Sequence, residues 1–213
     1  MKKSIFLALG VTSLPVLANA TIVNGDFETG NDGNFFSDYT YAAPGYNALF
    51  NEGLYTVDSN ANNDHPLWAS FGDHTTGTGN YFIANGAANS QEVVWTGYSS
   101  DTFVIGQTYT FSAWVANLYA GNEALLSFDV DGVLLNEVDF SATGVGTWSK
   151  ISANFVAVTE NPAFTIFNDQ TAFGGNDFGL DDISVTNAVP EPASMVALGL
   201  GGLALLRRRR KSA

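Results

Sequence analysis

The sequence predicts an all-β fold, an antiparallel β-sandwich, and three observations carry that expectation. Turn-forming dipeptides recur along the chain as Asn24-Gly25, Pro44-Gly45, Asn85-Gly86 and Asp131-Gly132. Short runs that alternate apolar and polar residues lie between them, as a sheet with one buried face requires. No segment sustains the 3.6-residue apolar period of an amphipathic helix.

Taken in order, "QTYTFSAWVANL" sets Tyr109, Phe111, Ala113 and Val115 on one face against Thr108, Thr110, Ser112 and Trp114 on the other. "LLSFDVDGVLLNEV" reads as two strands joined at Asp131-Gly132, a type I′ hairpin signal. "TWSKISANFVAV" places Ile151, Ala153 and Phe155 opposite Trp148, Lys150, Ser152 and Asn154. With "AFTIFN" and "FGLDDISV" the run reaches about nine to eleven short strands, which suits a sandwich better than a barrel. Asp129 and Asp131 suggest a calcium loop at first sight, but Gly132 directly follows and no third ligand precedes them, so they read as the hairpin turn.

Charge narrows the function classes. Residues 21–189 hold twenty acidic side chains and a single basic one, Lys150, a net charge of −19 against −13 for the whole chain. Such a surface repels phosphate backbones, which excludes nucleic acid as a partner. It suits a soluble protein in salty water, and it attracts divalent cations. Cysteine is absent, so stability must come from packing, with metal as a possible addition.

The two ends differ from this body. "MKKSIFLALGVTSLPVLANA" has basic Lys2 and Lys3, an apolar stretch, and a small-x-small ending at Ala18-Asn19-Ala20. This pattern predicts a signal peptide over residues 1–20, removed by signal peptidase after Ala20. At the other end, Pro190-Glu191-Pro192 precedes an uncharged segment, 193–206, and a basic tail, 207–211. As a helix the segment reaches about 21 Å against a hydrocarbon core of about 30 Å, a short transmembrane span with its arginines on the cytoplasmic side. The order of Pro-Glu-Pro, apolar segment and terminal arginines over residues 188–213 resembles the PEP-CTERM sorting signal. That resemblance implies a precursor tethered to the inner membrane of a Gram-negative bacterium, processing by an exosortase near Pro190-Glu191-Pro192, and an end point at the cell surface or in extracellular matrix.

The body, residues 21–187, carries a second resemblance. "IVNGDFETG" and "NDFGLDDISV" are similar to the first and last strands of carbohydrate-binding modules of families four, nine and twenty-two, with "GNYFIANG", "GQTYTFSAWV" and "GTWSKISANFVA" in the matching order between them. The resemblance implies a jelly-roll sandwich with a structural Ca2+ joining its first and last strands. By position, Glu28 would give a carboxylate, Asp26 and Tyr81 backbone carbonyls, and Asp181 both kinds of oxygen. Thr78 stands where relatives can place an acidic ligand.

Binding extracellular polysaccharide calls for aromatic rings flanked by polar groups. Trp114 shares a face with Thr110 and Ser112, to which Asp129, Ser152 and Asn154 are added as a polar concave sheet. Trp68 and Trp95 lie near loops or strand ends, and Trp148 matches a structural position of the family. Each tryptophan competes with core or edge packing. His65 and His74, beside Asp64 and Asp73 in "NNDHPLWASFGDH", read as a solvated polar loop without a third metal anchor.

The motifs of nucleophilic, zinc and phosphate chemistry are missing from the sequence. The sequence therefore predicts a non-enzymatic polysaccharide-binding protein at the cell surface. A structural biofilm-matrix protein without a sugar pocket is the alternative, and a glycoside-active enzyme is third.

Overall fold

The computed structural model describes residues 20–139 and 144–188. Within them ten strands run in chain order: β1 (Thr40–Tyr41), β2 (Leu54–Asp58), β3 (Tyr81–Asn85), β4 (Glu92–Tyr98), β5 (Thr108–Asn117), β6 (Leu125–Val130), β7 (Val133–Asp139), β8 (Ser149–Val156), β9 (Ala163–Asn168) and β10 (Asp177–Asn187). One short helix, α1 (Ala61–Asp64), follows β2.

The strands form two layers. A six-stranded sheet has the order β1-β2-β3-β10-β5-β8, and a four-stranded sheet the order β4-β9-β6-β7. Every pairing is antiparallel except the short β1–β2 pair. This is the predicted sandwich of jelly-roll type. The alternation read from the sequence fixes its inner face: Tyr109, Phe111, Ala113 and Val115 of β5 and Ile151 and Phe155 of β8 are buried against the opposite sheet. Phe111 meets Phe128 edge-on with centroids 4.7 Å apart and meets Phe164 at 5.1 Å, so aromatic contacts join the layers. Asp131 and Gly132, with φ of 53° and 81°, make the tight β6–β7 turn that the Asp-Gly pair predicts.

Among the described residues no strand precedes β1. Residues 23–30 are mostly turns, and the N-terminal segment meets the sheets through isolated bridges, Ala20 to Val185 and Ile22 to Ser99, through Gly25 O, which accepts from Ile183 N–H at 2.8 Å, and through buried Phe27, packed on Phe82 of β3. Two asparagine–glycine turn residues break the pairing where the resemblance implies a first strand; Asn24 adopts φ 50°. Thr21 is fastened at both polar groups, its N–H donating to Asp101 Oδ2 at 2.7 Å and its carbonyl accepting from Ser100 N–H at 2.9 Å.

A second apolar cluster lies on the outer face of the six-stranded sheet. Tyr81 and Ile83 point away from the main core, and Leu49, Ala61, Trp68 and Leu118 cover them, with Phe71 and Trp148 packed at the margin. The stretch 59–80 folds back over the sheet to supply much of this cover. It is therefore no solvated loop, and its polar side chains serve mostly to fasten it.

Among the described residues no helix is long and apolar enough to cross a membrane. The expected span 193–206, the basic tail and residues 1–19 lie outside the described residues.

Candidate functional site

At one end of the six-stranded sheet β2 begins, β3 and β5 end, and β10 begins. The loops that leave this end enclose a cleft of about 310 Å³. Turn chemistry builds its walls. Asn60 caps α1 by accepting from Asn62 N–H, and Pro66 follows the helix C-cap, His65. Gly174 and Gly175, with φ of 70° and 90°, turn the β9–β10 loop toward the β5–β6 loop. A side chain at Gly175 would strike the Asn122 backbone. Asn122 Nδ2 then donates to the carbonyls of Phe173 and Gly174 at 3.0 and 3.1 Å, clamping the two loops together.

The same end is tied from the other side. Asn85 Nδ2 donates to Leu49 O at 2.8 Å, and Trp68 Nε1 donates to Asp177 Oδ2 at 3.1 Å. Ala69 N–H donates to Leu118 O, and Leu118 N–H to Asp177 O. A wall fixed by this many bonds is organised before any ligand arrives, which lowers the entropy lost on binding.

Rings dominate the lining. His65 stacks on Trp68 with centroids 4.7 Å apart and on Phe50 at 6.1 Å, giving three nearly parallel rings. Trp68 is the buried end of this stack, while Phe50 is 68% exposed and leaves a ring face to solvent. Tyr119 is 44% exposed on the facing loop. Glu52 and Asp177 add carboxyls to the lining, and Asn85 adds an amide. Burial pushes the Asp177 carboxyl up to about 6 against the pull of the Trp68 indole and two backbone amides. Burial pushes His65 below its ordinary value, so its ring is neutral at neutral pH.

The sheet-face residues expected from sequence divide differently. Trp114, Ser152 and Asn154 do share the outer face of the six-stranded sheet, with Thr110 Oγ1 donating to Asn154 Oδ1 at 2.7 Å. Asp129 does not join them. It sits on β6 in the other sheet, nearly buried, and its Oδ1 accepts from Gly132 N–H at 2.7 Å, so it serves the hairpin. Trp95 is fully buried in the main core and presents no face to a ligand. Trp148 is structural, donating to Gly72 O and meeting Tyr81 edge-on.

Trp114 is partly covered by the chain itself. The His74 ring stacks on the indole at 3.7 Å and 16°, and His74 Nδ1 lies 2.5 Å from Asp182 Oδ2. Asp181 holds this arrangement. Its Oδ2 accepts from the His74 and Thr75 amides at 2.7 and 3.1 Å, and its Oδ1 accepts from the Asp182 amide at 2.8 Å. Burial pushes the Asp181 carboxyl up to about 7 against these amides, with the neighbouring Asp182 charge adding to the rise. An open trough of about 730 Å³ runs beside Trp114 along residues 20–26 and 182–186.

Of the calcium set expected from resemblance, Asp26 and Glu28 share one turn, the Glu28 amide donating to Asp26 Oδ1 at 3.4 Å. Asp181 accepts from the His74, Thr75 and Asp182 amides, and Asp73 likewise accepts from the Thr76 and Gly79 amides at 2.6 Å each. Glu28 instead meets Asp73: partial burial holds the Glu28 carboxyl above its ordinary value, and the Asp73 and Asp26 charges add to the rise. Tyr81 opens β3 opposite Asp58, and its hydroxyl accepts from Ala61 N–H at 2.8 Å. Among the described residues no three His, Cys, Asp or Glu side chains converge to hold a metal ion. A calcium at Glu28 and Asp73 therefore needs backbone carbonyls to complete its shell.

Of the processing residues, Ala20 is described, its N–H donating to Val185 O at 3.0 Å, a bridge that cleavage after Ala20 would give up. Pro190, Glu191 and Pro192 lie outside the described residues.

Comparison with solved structures places the fold. A Stig cyclase, Fisc, from Fischerella sp. TAU is 10% identical with a TM-score of 0.57, over 83% of this chain and 100% of that one. An arabinose-bound α-L-arabinofuranosidase, MgGH51, is 14% identical with a TM-score of 0.52, over 79% of this chain and 26% of that one. The CBM22-1 xylan-binding domain of Paenibacillus barcinonensis Xyn10C is 13% identical with a TM-score of 0.48, over 80% and 97%. At these identities the likeness concerns the fold alone. No curated protein sequence matches the chain. The PEP-CTERM protein-sorting motif matches residues 188–211, where the Pro-Glu-Pro, apolar and arginine elements stand. The chain thus carries a PEP-CTERM protein-sorting motif at residues 188–211, behind a body that is a jelly-roll β-sandwich.

Proposed function

We propose that this protein binds polysaccharide without transforming it, through the loop-end cleft, at the surface or in the extracellular matrix of a Gram-negative bacterium. The observation that carries the reading is the pair of open aromatic rings, Phe50 and Tyr119, on facing loops of a pre-tied cleft that also holds Glu52, Asn85 and Asp177. Sugar rings present C–H faces that pack on aromatics and hydroxyls that reach polar groups, and this lining offers both. The sheet face around Trp114 supports the reading less. His74 occupies the indole there, and the hydroxyls of Thr110, Ser112 and Ser184 are engaged with neighbouring side chains.

Processing belongs to the same proposal. Removal of residues 1–20 by signal peptidase would turn the Thr21 nitrogen, 2.7 Å from Asp101 Oδ2, into an ammonium facing a carboxylate. Exosortase cleavage near Pro190-Glu191-Pro192 would then release the body from the inner membrane. A structural calcium is also proposed, with carboxylates from Glu28 and Asp73 and backbone oxygens from Asp26 and Tyr81.

The test is retention of the secreted protein in native gels cast with soluble polysaccharides. The reading expects at least one polymer to slow the parent, the Phe50→Ala and Tyr119→Ala variants to run freely, and Trp114→Ala to behave as the parent. No retention by any polymer would favour a purely structural matrix protein.

A further inference from the structure

We propose that the cleft selects its glycan by charge, favouring a sugar that bears a protonated amine and turning away uronic acids. This rests on the reading of the cleft as a carbohydrate site and names the class of sugar it takes.

The lining holds two carboxyls, Glu52 and Asp177, and no lysine or arginine. The one basic side chain of residues 21–189, Lys150, stands on β8 opposite Trp114, outside the cleft. His65, the histidine of the lining, sits between Phe50 and Trp68 as a neutral ring at neutral pH. A glycan carboxylate entering here would meet like charge without any compensating cation. Like-charge juxtaposition at a binding surface is strongly unfavourable, and it is the usual way a protein rejects the wrong partner.

An ammonium group meets the reverse situation. Asp177 is only 6% exposed and already accepts from Trp68 Nε1, so its carboxyl is fixed in position. Glu52 lines the cleft with an exposed side chain. The open faces of Phe50 and Tyr119 attract a cation as well as sugar C–H groups. A hexosamine polymer with free amines satisfies both the ring faces and the carboxyls, whereas its N-acetylated form satisfies the rings alone.

The test is calorimetric titration of the secreted protein, at pH 7 and 0.15 M NaCl, with three pentasaccharides: glucosamine, N-acetylglucosamine and galacturonate. Short oligomers at this salt suppress the general adsorption of polycations to an acidic surface. The glucosamine pentamer is expected to bind about tenfold or more tightly than the N-acetylated one, and galacturonate not to bind. Glu52→Gln should narrow the difference, and Phe50→Ala should abolish binding of both. Galacturonate binding as tightly as glucosamine overturns the inference, as does an amine preference unchanged in Glu52→Gln. Glucosamine binding that survives Phe50→Ala marks surface adsorption and overturns it too. Absence of binding by all three overturns the carbohydrate reading itself, and this inference with it.

Discussion

Asp181→Asn is the substitution whose cost the structure defines most closely. The Asp181 side chain is fully buried and accepts three backbone N–H groups, from His74, Thr75 and Asp182, which pins the 73–75 turn to β10. Asparagine keeps one acceptor oxygen and turns an NH2 toward the remaining donors, so one or two of these bonds are lost. An unsatisfied, largely buried donor costs about 1–3 kcal/mol, and the accompanying loss of the His74–Trp114 stack adds to it. The expected destabilisation is about 3 kcal/mol, which in a domain of this size lowers Tm by about 6–12 °C. Thermal unfolding followed by tryptophan fluorescence measures it, and the emission of the folded variant should change as His74 leaves the indole. A Tm within 2 °C of the parent, with unchanged emission, would refute the role assigned to Asp181.

Stability should fall as pH rises from about 5 to 8. Asp64 and Asp177 are pushed up to about 6 and Asp181 to about 7, chiefly by burial, so their contribution is complete below the ordinary carboxylate value and is lost as pH passes through 6 to 7. Asp73 acts in the opposite sense. Burial raises it, but the Thr76 and Gly79 amides outweigh that and hold it low, so its contribution disappears as pH drops below about 4; a Tm that climbs steadily from pH 5 to 8 would contradict the sign given for Asp64, Asp177 and Asp181. Calcium chelation should lower Tm by several degrees in the parent and by much less in Asp73→Asn, and an unchanged parent would remove calcium from the account. Intact mass of the secreted protein should correspond to a chain that starts at Thr21 and lacks Arg207–Arg210, and a mass that retains the arginines would contradict exosortase processing.

Local pattern made the sheets legible and left the site largely hidden. Alternation in "QTYTFSAWV" and "TWSKISANFV" predicts β5 and β8 with their correct faces, because one residue's direction follows from its neighbour's. The same alternation says nothing about which sheet a strand joins, and so it groups Asp129 with Trp114 although β6 belongs to the opposite layer. The second apolar cluster escaped for a related reason. Its parts, Leu49, Trp68, Tyr81 and Leu118, come from separate loops and strands, and the polar spelling of residues 59–80 conceals how firmly that stretch is fastened. Of the cleft, the sequence points to Trp68 alone as a ligand residue. Phe50 and Tyr119 each stand just ahead of a glycine turn, in "FNEG" and "YAGN", and an aromatic side chain placed on such a turn is a signal that local reading can use.

The central claim is that ligand enters at the loop end and not on the sheet face. Amide and indole chemical-shift mapping of the 15N-labelled secreted protein, titrated with the tightest-binding pentasaccharide, tests it directly. The account predicts the largest changes at the Trp68 indole N–H and at the amides of Phe50, Glu52 and Tyr119, with the Trp114 indole unmoved. Changes centred on Trp114, Ser152 and Asn154, with Trp68 unaffected, would contradict it.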